Sequence, residues 1–336
     1  MTAPRLQLGF AGVDGTPDWH LSVDGMTPRG PNLSHWPGNR TPAKWKADLS
    51  TGICMQFARA DAAEQDEFLA GATVVLNDHY DTDGFGSLVA VLQPQLAFAH
   101  EELLLAAAAT GDFGLFTTWR GFAIDRIVAN LAGPQSPVRD HFAGLSGPKK
   151  SFARYRWLLE HAEELLREPG RLAPAYEPEL AAVEESLRAC RRGALTRRLH
   201  PEIGLAVVET RQPVPRIVLN TLAGAFRVLH GVHTSEGTLW RFHDRTESWF
   251  ELATFRALPR RDLRPLAQTL QVLEPARDGM QWCVDAPTEP IPELYFGAPA
   301  AQEYGQVSRR LAPSRLPATA VEHAFVSFFE TMHHSR

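Results

Sequence analysis

The apolar positions change period within residues 73–91, TVVLNDHYDTDGFGSLVAV. Val74, Val75 and Leu76 form a short β-favouring run, and from Phe85 onward the residues Phe85, Leu88, Val89 and Leu92 recur at helical spacing around Gly84 and Gly86. That pattern predicts a strand, a tight turn and a helix. Upstream, the residues to about Pro42 are rich in Gly, Pro and Asp and predict a loop-heavy segment with one short strand over 6–10. A helix is expected over 50–60, with Ser50 or Asp48 as its cap. Downstream, Pro94 breaks the pattern, a second apolar helix runs on to Gly111, and another covers 116–130. The Pro- and Gly-rich stretch 133–149 reads as a long loop.

The remaining chain has a different texture. Phe152, Tyr155, Leu159, Ala162 and Leu166 share one helical face, as do Leu180, Val183, Leu187 and Cys190, with a Pro/Gly break over 169–178. From Ile203 the pattern is mixed: a strand over 205–209, a helix over 215–229, and a hairpin over 238–254 turning near 244–246. Helices follow over 262–273 and 318–332, the last burying Val321, Phe325, Phe328 and Met332. This order predicts a two-domain α/β fold, with an N-terminal domain over 1–150, a helical connector over 151–200 and a smaller C-terminal α/β domain over 201–336.

The alternate placement of His79, Asp81 and Asp83 supplies the candidate chemistry. On extended backbone all three side chains point to one side. Carboxylates that close repel unless a cation or a donor neutralises them, and a divalent metal is the usual remedy. The competing reading makes Asp83 the cap of the following helix, which explains one carboxylate and not a triad. Ser87 falls in the first helical turn, where a hydroxyl and free N–H groups could hold a phosphate, with packing filler as the equal alternative. Asp112, freed by Gly111 and Gly114, is the candidate further ligand, with a plain C-terminal turn residue as the alternative. Asp140 and His141 form the nearest downstream acid-histidine pair, but no strand precedes them. His230 and His233 have metal-compatible spacing without a carboxylate partner, and the run Arg188, Arg191, Arg192, Arg197 and Arg198 reads first as a solvated helix face. Asp112-Phe113-Gly114 spells a kinase signature with no glycine-rich nucleotide loop to support it.

The block H-Y-D-T-D-G-F-G-S, His79 to Ser87, resembles the first motif of the DHH phosphoesterase superfamily. That resemblance implies an N-terminal DHH-like domain in which Asp81 and Asp83, with His79, ligate Mn²⁺ or Mg²⁺ at the C-terminal end of a strand. It also implies a downstream Asp-His-His triplet, which this chain lacks. A second block, Leu33, His35, Trp36, Gly38, Asn39, Thr41 and Pro42 followed by Ala47, Asp48, Ser50 and Thr51, is similar to the opening of a bacterial family with no assigned function. Members of that family share the H-x-D-x-D-G stretch and a Gly-Asp-Phe element, here Gly111 to Phe113. The implied activity is metal-assisted hydrolysis of a small phosphate-bearing substrate, such as a short oligonucleotide or a nucleotide. His79, Asp81 and Asp83 would be catalytic, Asp112 an added ligand, and Gly84, Gly86 and Ser87 the substrate contacts. The alternative is a non-catalytic phosphate- or metal-binding sensor that kept the pocket and lost the second ligand set.

Composition narrows this only slightly. The 336 residues are 44% hydrophobic and 22% charged, ordinary for a globular protein, and a net charge of −5 argues against general nucleic-acid coating. Cys54, Cys190 and Cys283 are odd in number and far apart, so neither a disulfide framework nor a cysteine zinc site is expected. The apolar run over 103–109 is too short to cross a bilayer and the N-terminus has no apolar leader, so a cytoplasmic location and no membrane partner are expected. The adjacent His333 and His334 near the C-terminus read as a frayed tail. Nothing in the pattern specifies an oligomeric state.

Overall fold

The computed structural model describes residues 6–275, 279–299 and 309–331. Met332, His333 and His334 lie outside them. The chain is a mixed α/β protein that divides into two compact units, 1–182 with 250–256, and 183–249 with 257–336. Among the described residues no helix is long and apolar enough to cross a membrane.

Unit 1 is built on a four-stranded, wholly parallel sheet of β1 (Gln7–Phe10), β2 (Leu21–Val23), β3 (Asn32–Leu33) and β4 (Val74–Asn77), in the order β1-β4-β2-β3. Helices α1 (Ser50–Arg59), α2 (Ala62–Leu69), α3 (Thr82–Leu92), α4 (Pro94–Ala99), α5 (Glu101–Phe113) and α6 (Trp119–Asn130) precede α7 (Gly147–Glu160) and α8 (Ala162–Arg167). One core joins Leu21, Val23, Leu33 and Val75 of the sheet to Ile53, Phe85, Leu88, Ile124 and Tyr155 of the helices. α3 is buried along most of its length, which is why its apolar spacing was so regular.

Several expectations need correction. The segment read as loop hides β2 and β3, which are only three and two residues long and show no readable period. The apolar helix after Pro94 is two helices, α4 and α5, parted at His100. Part of the expected loop over 133–149 is ordered as a short turn of helix, Arg139–Phe142, and the start of α7. α7 and α8, expected as connectors, pack into the core of unit 1, and the division between units falls within α9 (Glu177–Ala189).

Unit 2 carries a mixed sheet of β5 (Leu195–His200), β6 (Leu205–Thr210), β7 (Arg227–Thr234), β8 (Gly237–Asp244), β9 (Gln281–Val284), β10 (Glu293–Ala298), β11 (Arg310–Leu311) and β12 (Pro313–Ser314). The main path runs β11-β10-β8-β7-β6-β5, with β6 and β7 its one parallel pair. α10 (Arg216–Ala223) covers one face, against Ala206, Val208 and Val228. α11 (Arg264–Leu273) and α12 (Ala318–Glu330) cover the other, against Leu205, Trp240 and Phe242. The helix expected over 215–229 ends at Gly224, and Arg227 to Leu229 open β7 instead. The hairpin is β7–β8, tighter and earlier than expected. Both errors have one cause: β7 is buried on both faces, so its sequence does not alternate.

Candidate metal centre

The site forms at the C-terminal edge of the parallel sheet, where the strand ends of an open α/β fold present their loops. Asp24 follows β2, His35 lies just beyond β3, and His79 follows β4. Asp83 comes from the first turn of α3 and Asp112 from the last turn of α5. Two groups of ligand atoms converge. One is Asp24, His35, Asp83 and Asp112; the other is Asp24, His79 and Asp81; within each group the atoms lie within 4.8 Å of one another. Asp24 belongs to both.

Local backbone chemistry sets each side chain. Asn77, fully buried, accepts from the N–H groups of Asp78 and His79 at 2.7 and 3.2 Å, and its amide nitrogen reaches the Tyr155 hydroxyl at 3.3 Å. That hydroxyl accepts from the Asp81 N–H at 3.1 Å and donates toward the His79 carbonyl at 3.2 Å. Asn77 and Tyr155 thus clamp the turn that carries His79 and Asp81. Asp24 has φ 62°, a left-handed conformation that Asp tolerates better than most residues.

The extended same-side geometry expected for His79, Asp81 and Asp83 is not found, because only Val74–Asn77 is strand. Asp81 is the residue that caps α3, accepting from the Gly84 N–H at 2.8 Å. Asp83 caps a different helix: its two oxygens accept from the N–H groups of Ser50 and Thr51, both at 2.7 Å, at the start of α1. Neither Ser50 nor Asp48 caps α1 through its own side chain. Asp48 instead accepts from the N–H groups of Ala253 and Thr254 at 2.8 Å and holds the 250–256 segment in place. Within that segment Phe250 stacks on the His35 ring, 3.8 Å between centroids.

His35 is fully buried, and its Nδ1–H donates to the Asp48 carbonyl at 2.7 Å. That bond orients the ring so that Nε2 faces Asp112 at 3.1 Å, Asp83 at 3.7 Å and Asp24 at 3.9 Å. One imidazole nitrogen and three carboxylate oxygens facing one another is an arrangement that a shared cation or proton stabilises. Neither His35 Nε2 nor Asp24 Oδ1 has a hydrogen-bond partner among the described residues, although both are buried. Burial, with Asp81 and Asp83 nearby, pushes the Asp24 carboxyl well above the ordinary range. Burial and then Asp83 and Asp81 do the same to Asp112.

The second group is better balanced. His79 Nε2 lies 2.9 Å from Asp81 and 3.2 Å from Asp24, and its Nδ1 lies 2.8 Å from Asp78. Burial alone would lower the imidazole, but Asp81, Asp24 and Asp78 outweigh it and hold His79 well above its usual value. Burial likewise works against ionised Asp81, and the His79 charge overrides it, taking Asp81 down to about 2. The Trp36 ring lies 4.9 Å from that of His79.

Gly84, Gly86 and Ser87 are buried. A Cβ on Gly84 would collide with Asn77 and Tyr155, and one on Gly86 with Thr51, so both glycines serve the close approach of α3 to its neighbours. Ser87 Oγ is enclosed, with the buried Cys54 thiol beside it. Asp140 and His141 are exposed and belong to neither group. His230 and His233 lie on β7, where His230 bonds Thr210 and His233 faces Glu209. Arg188 pairs with Glu184 and Glu185, and Arg198 with Glu209 and Glu322. Asp24 and His35 were not among the candidate ligands. For Asp24 the signal was present: Leu21-Ser22-Val23 followed by Asp-Gly repeats, in miniature, the strand-then-acid pattern of β4.

The chain matches the Family of unknown function (DUF6687) over residues 8–335 and belongs to that family. No curated protein matches it. No solved structure matches it.

Proposed function

We propose that this is a metal-dependent phosphoesterase-like protein, related to the DHH phosphoesterases, in which Asp24, His35, Asp83 and Asp112 would hold one Mn²⁺ or Mg²⁺ ion and Asp24, His79 and Asp81 a second. The convergence of both ligand groups on Asp24 carries the reading. Four carboxylates, Asp24, Asp81, Asp83 and Asp112, match the charge of two divalent cations, and oxygen and imidazole donors without thiolate suit Mn²⁺ or Mg²⁺. Asp24 and His35 fill the place of the ligands that the absent Asp-His-His triplet would supply. Such ions, when bound, would supply Lewis-acid chemistry that activates water and polarises a phosphoryl oxygen.

The protein's own groups prepare that chemistry. Asp48 orients the His35 ring, Asp78 orients His79, and Asn77 with Tyr155 fixes the loop between β4 and α3. The substrate class is a small phosphate-bearing compound. One observation favours the sensor alternative: His79, raised well above its usual value by Asp81, Asp24 and Asp78, offers the second group a positive charge without a cation. Metal analysis and turnover of an aryl phosphate and a short oligonucleotide with Mn²⁺ separate the two. Mn²⁺-dependent hydrolysis lost in Asp112→Asn supports the enzyme; one bound ion with no turnover of either substrate supports the sensor.

A further inference from the structure

The face of the unit 2 sheet that α10 covers is apolar for only half its width. Paired residues of neighbouring strands share a face, and the registers His230↔Arg241, Val228↔His243, Glu293↔His243 and Tyr295↔Arg241 place His230, Arg241, His243, Glu293 and Tyr295 on the side of Val228. α10 packs on Ala206, Val208 and Val228, and beyond that contact the face turns polar. Glu293, 1% exposed, gathers three guanidiniums there. Arg241 donates to both of its oxygens at 2.7 and 2.6 Å, Arg216 from the first turn of α10 bonds Oε1, and Arg309 Nε lies 3.1 Å from Oε2. Arg309 also pairs with Asp285.

Among the described residues, three guanidiniums against two carboxylates leave one positive charge in surplus, and the nearby imidazoles do not change that sum. Burial and Arg241 take His230 down to about 4. Burial followed by Arg216, Arg241 and Arg245 holds His243 well below its usual value. One buried carboxylate needs one counter-charge, and the extra arginines repel each other. Arg216 and Arg241 nevertheless keep 34% and 35% of their side-chain surface open to solvent. Planar forks arranged this way match an oxyanion with two or more oxygens.

We propose that this polar half-face, built by Arg216, Arg241 and Arg309 around Glu293, is an oxyanion site that takes a phosphate group, free or carried on an organic ester. It is independent of the metal reading, because every residue in it belongs to unit 2.

The test uses the full chain in EDTA, so that no bound metal contributes a phosphate ligand. Inorganic phosphate and phenyl phosphate are titrated calorimetrically at constant ionic strength. Wild type is expected to bind at least one of them, and Arg216→Gln or Arg241→Gln to weaken binding about tenfold or more, as for loss of a charge-assisted hydrogen bond. Arg264→Gln, an exposed arginine of the same unit, should leave binding unchanged. Tighter phenyl phosphate binding assigns the site to esters, and equal binding assigns it to the free anion. Because Arg241→Gln disturbs a buried carboxylate, a second readout uses wild type alone: phosphate should slow dicarbonyl modification of Arg216 and Arg241 but not of Arg264. Absence of both heat and protection in wild type, or full retention of binding in folded Arg216→Gln and Arg241→Gln, overturns the proposal.

Discussion

At the scale of single residues, the metal reading rests on groups that are unfavourable as they stand and comfortable around a cation. Burial and neighbouring carboxylates raise Asp24 and Asp112, and Asp81, Asp24 and Asp78 raise His79. A divalent ion favours the deprotonated form of each ligand, so Mn²⁺ affinity should rise with pH and binding should release protons. Calorimetry in buffers of different ionisation enthalpy measures that release, and buffer-independent heats would contradict it. Tyr155 touches no candidate ion yet positions Asp81 through its N–H. Tyr155→Phe should cost about 1–3 kcal/mol of stability, because the Asp81 N–H and Asn77 amide lose a partner. It should also weaken Mn²⁺ binding, and an unchanged affinity with unchanged melting would remove its positioning role.

At the scale of elements, the two aspartates of the D-T-D motif cap two different helices, and that gives them different mutational signatures. Asp83→Asn should destabilise the metal-free protein by about 1–2 kcal/mol, since Asn offers one acceptor oxygen where two N–H groups of α1 need them. Asp112→Asn should leave the metal-free protein as stable or more so, because a neutral amide relieves the crowding with Asp83 and Asp81 that raises the Asp112 carboxyl. Denaturant melts in EDTA compare the pair, and equal destabilisation would argue against the distinction. These roles show what the sequence could and could not yield. β4 and α3 were legible because a β-run switches to strict helical spacing at a Gly pair. The partners of Asp83 were not, since Ser50 and Thr51 lie more than thirty positions away and only the packing of α1 on α3 brings them there. β2 and β3 were too short to carry a period, and Asp24 and His35 were overlooked with them.

At the scale of the whole molecule, the two units should answer pH and metal differently. His230 in unit 2 falls from an ordinary value of 6.5 to about 4 on folding. A depressed histidine contributes stability that is complete above pH 6.5 and lost as pH falls toward 4, on the order of 3 kcal/mol if the whole shift is expressed. His230→Gln should flatten that part of the acid melting curve, and an unaltered slope would place the titration elsewhere. Mn²⁺ should raise the melting temperature only through the unit that binds it. The most direct test of the account is the Mn²⁺ stoichiometry of wild type and Asp24→Asn, determined by calorimetry with metal analysis. Asn accepts the left-handed backbone of position 24, so the variant keeps its turn while losing the shared charge. The account predicts two ions per wild-type chain and a loss of both high-affinity sites in Asp24→Asn. A wild type that binds no Mn²⁺ at millimolar concentration, or a variant that still binds two ions as tightly, would contradict it.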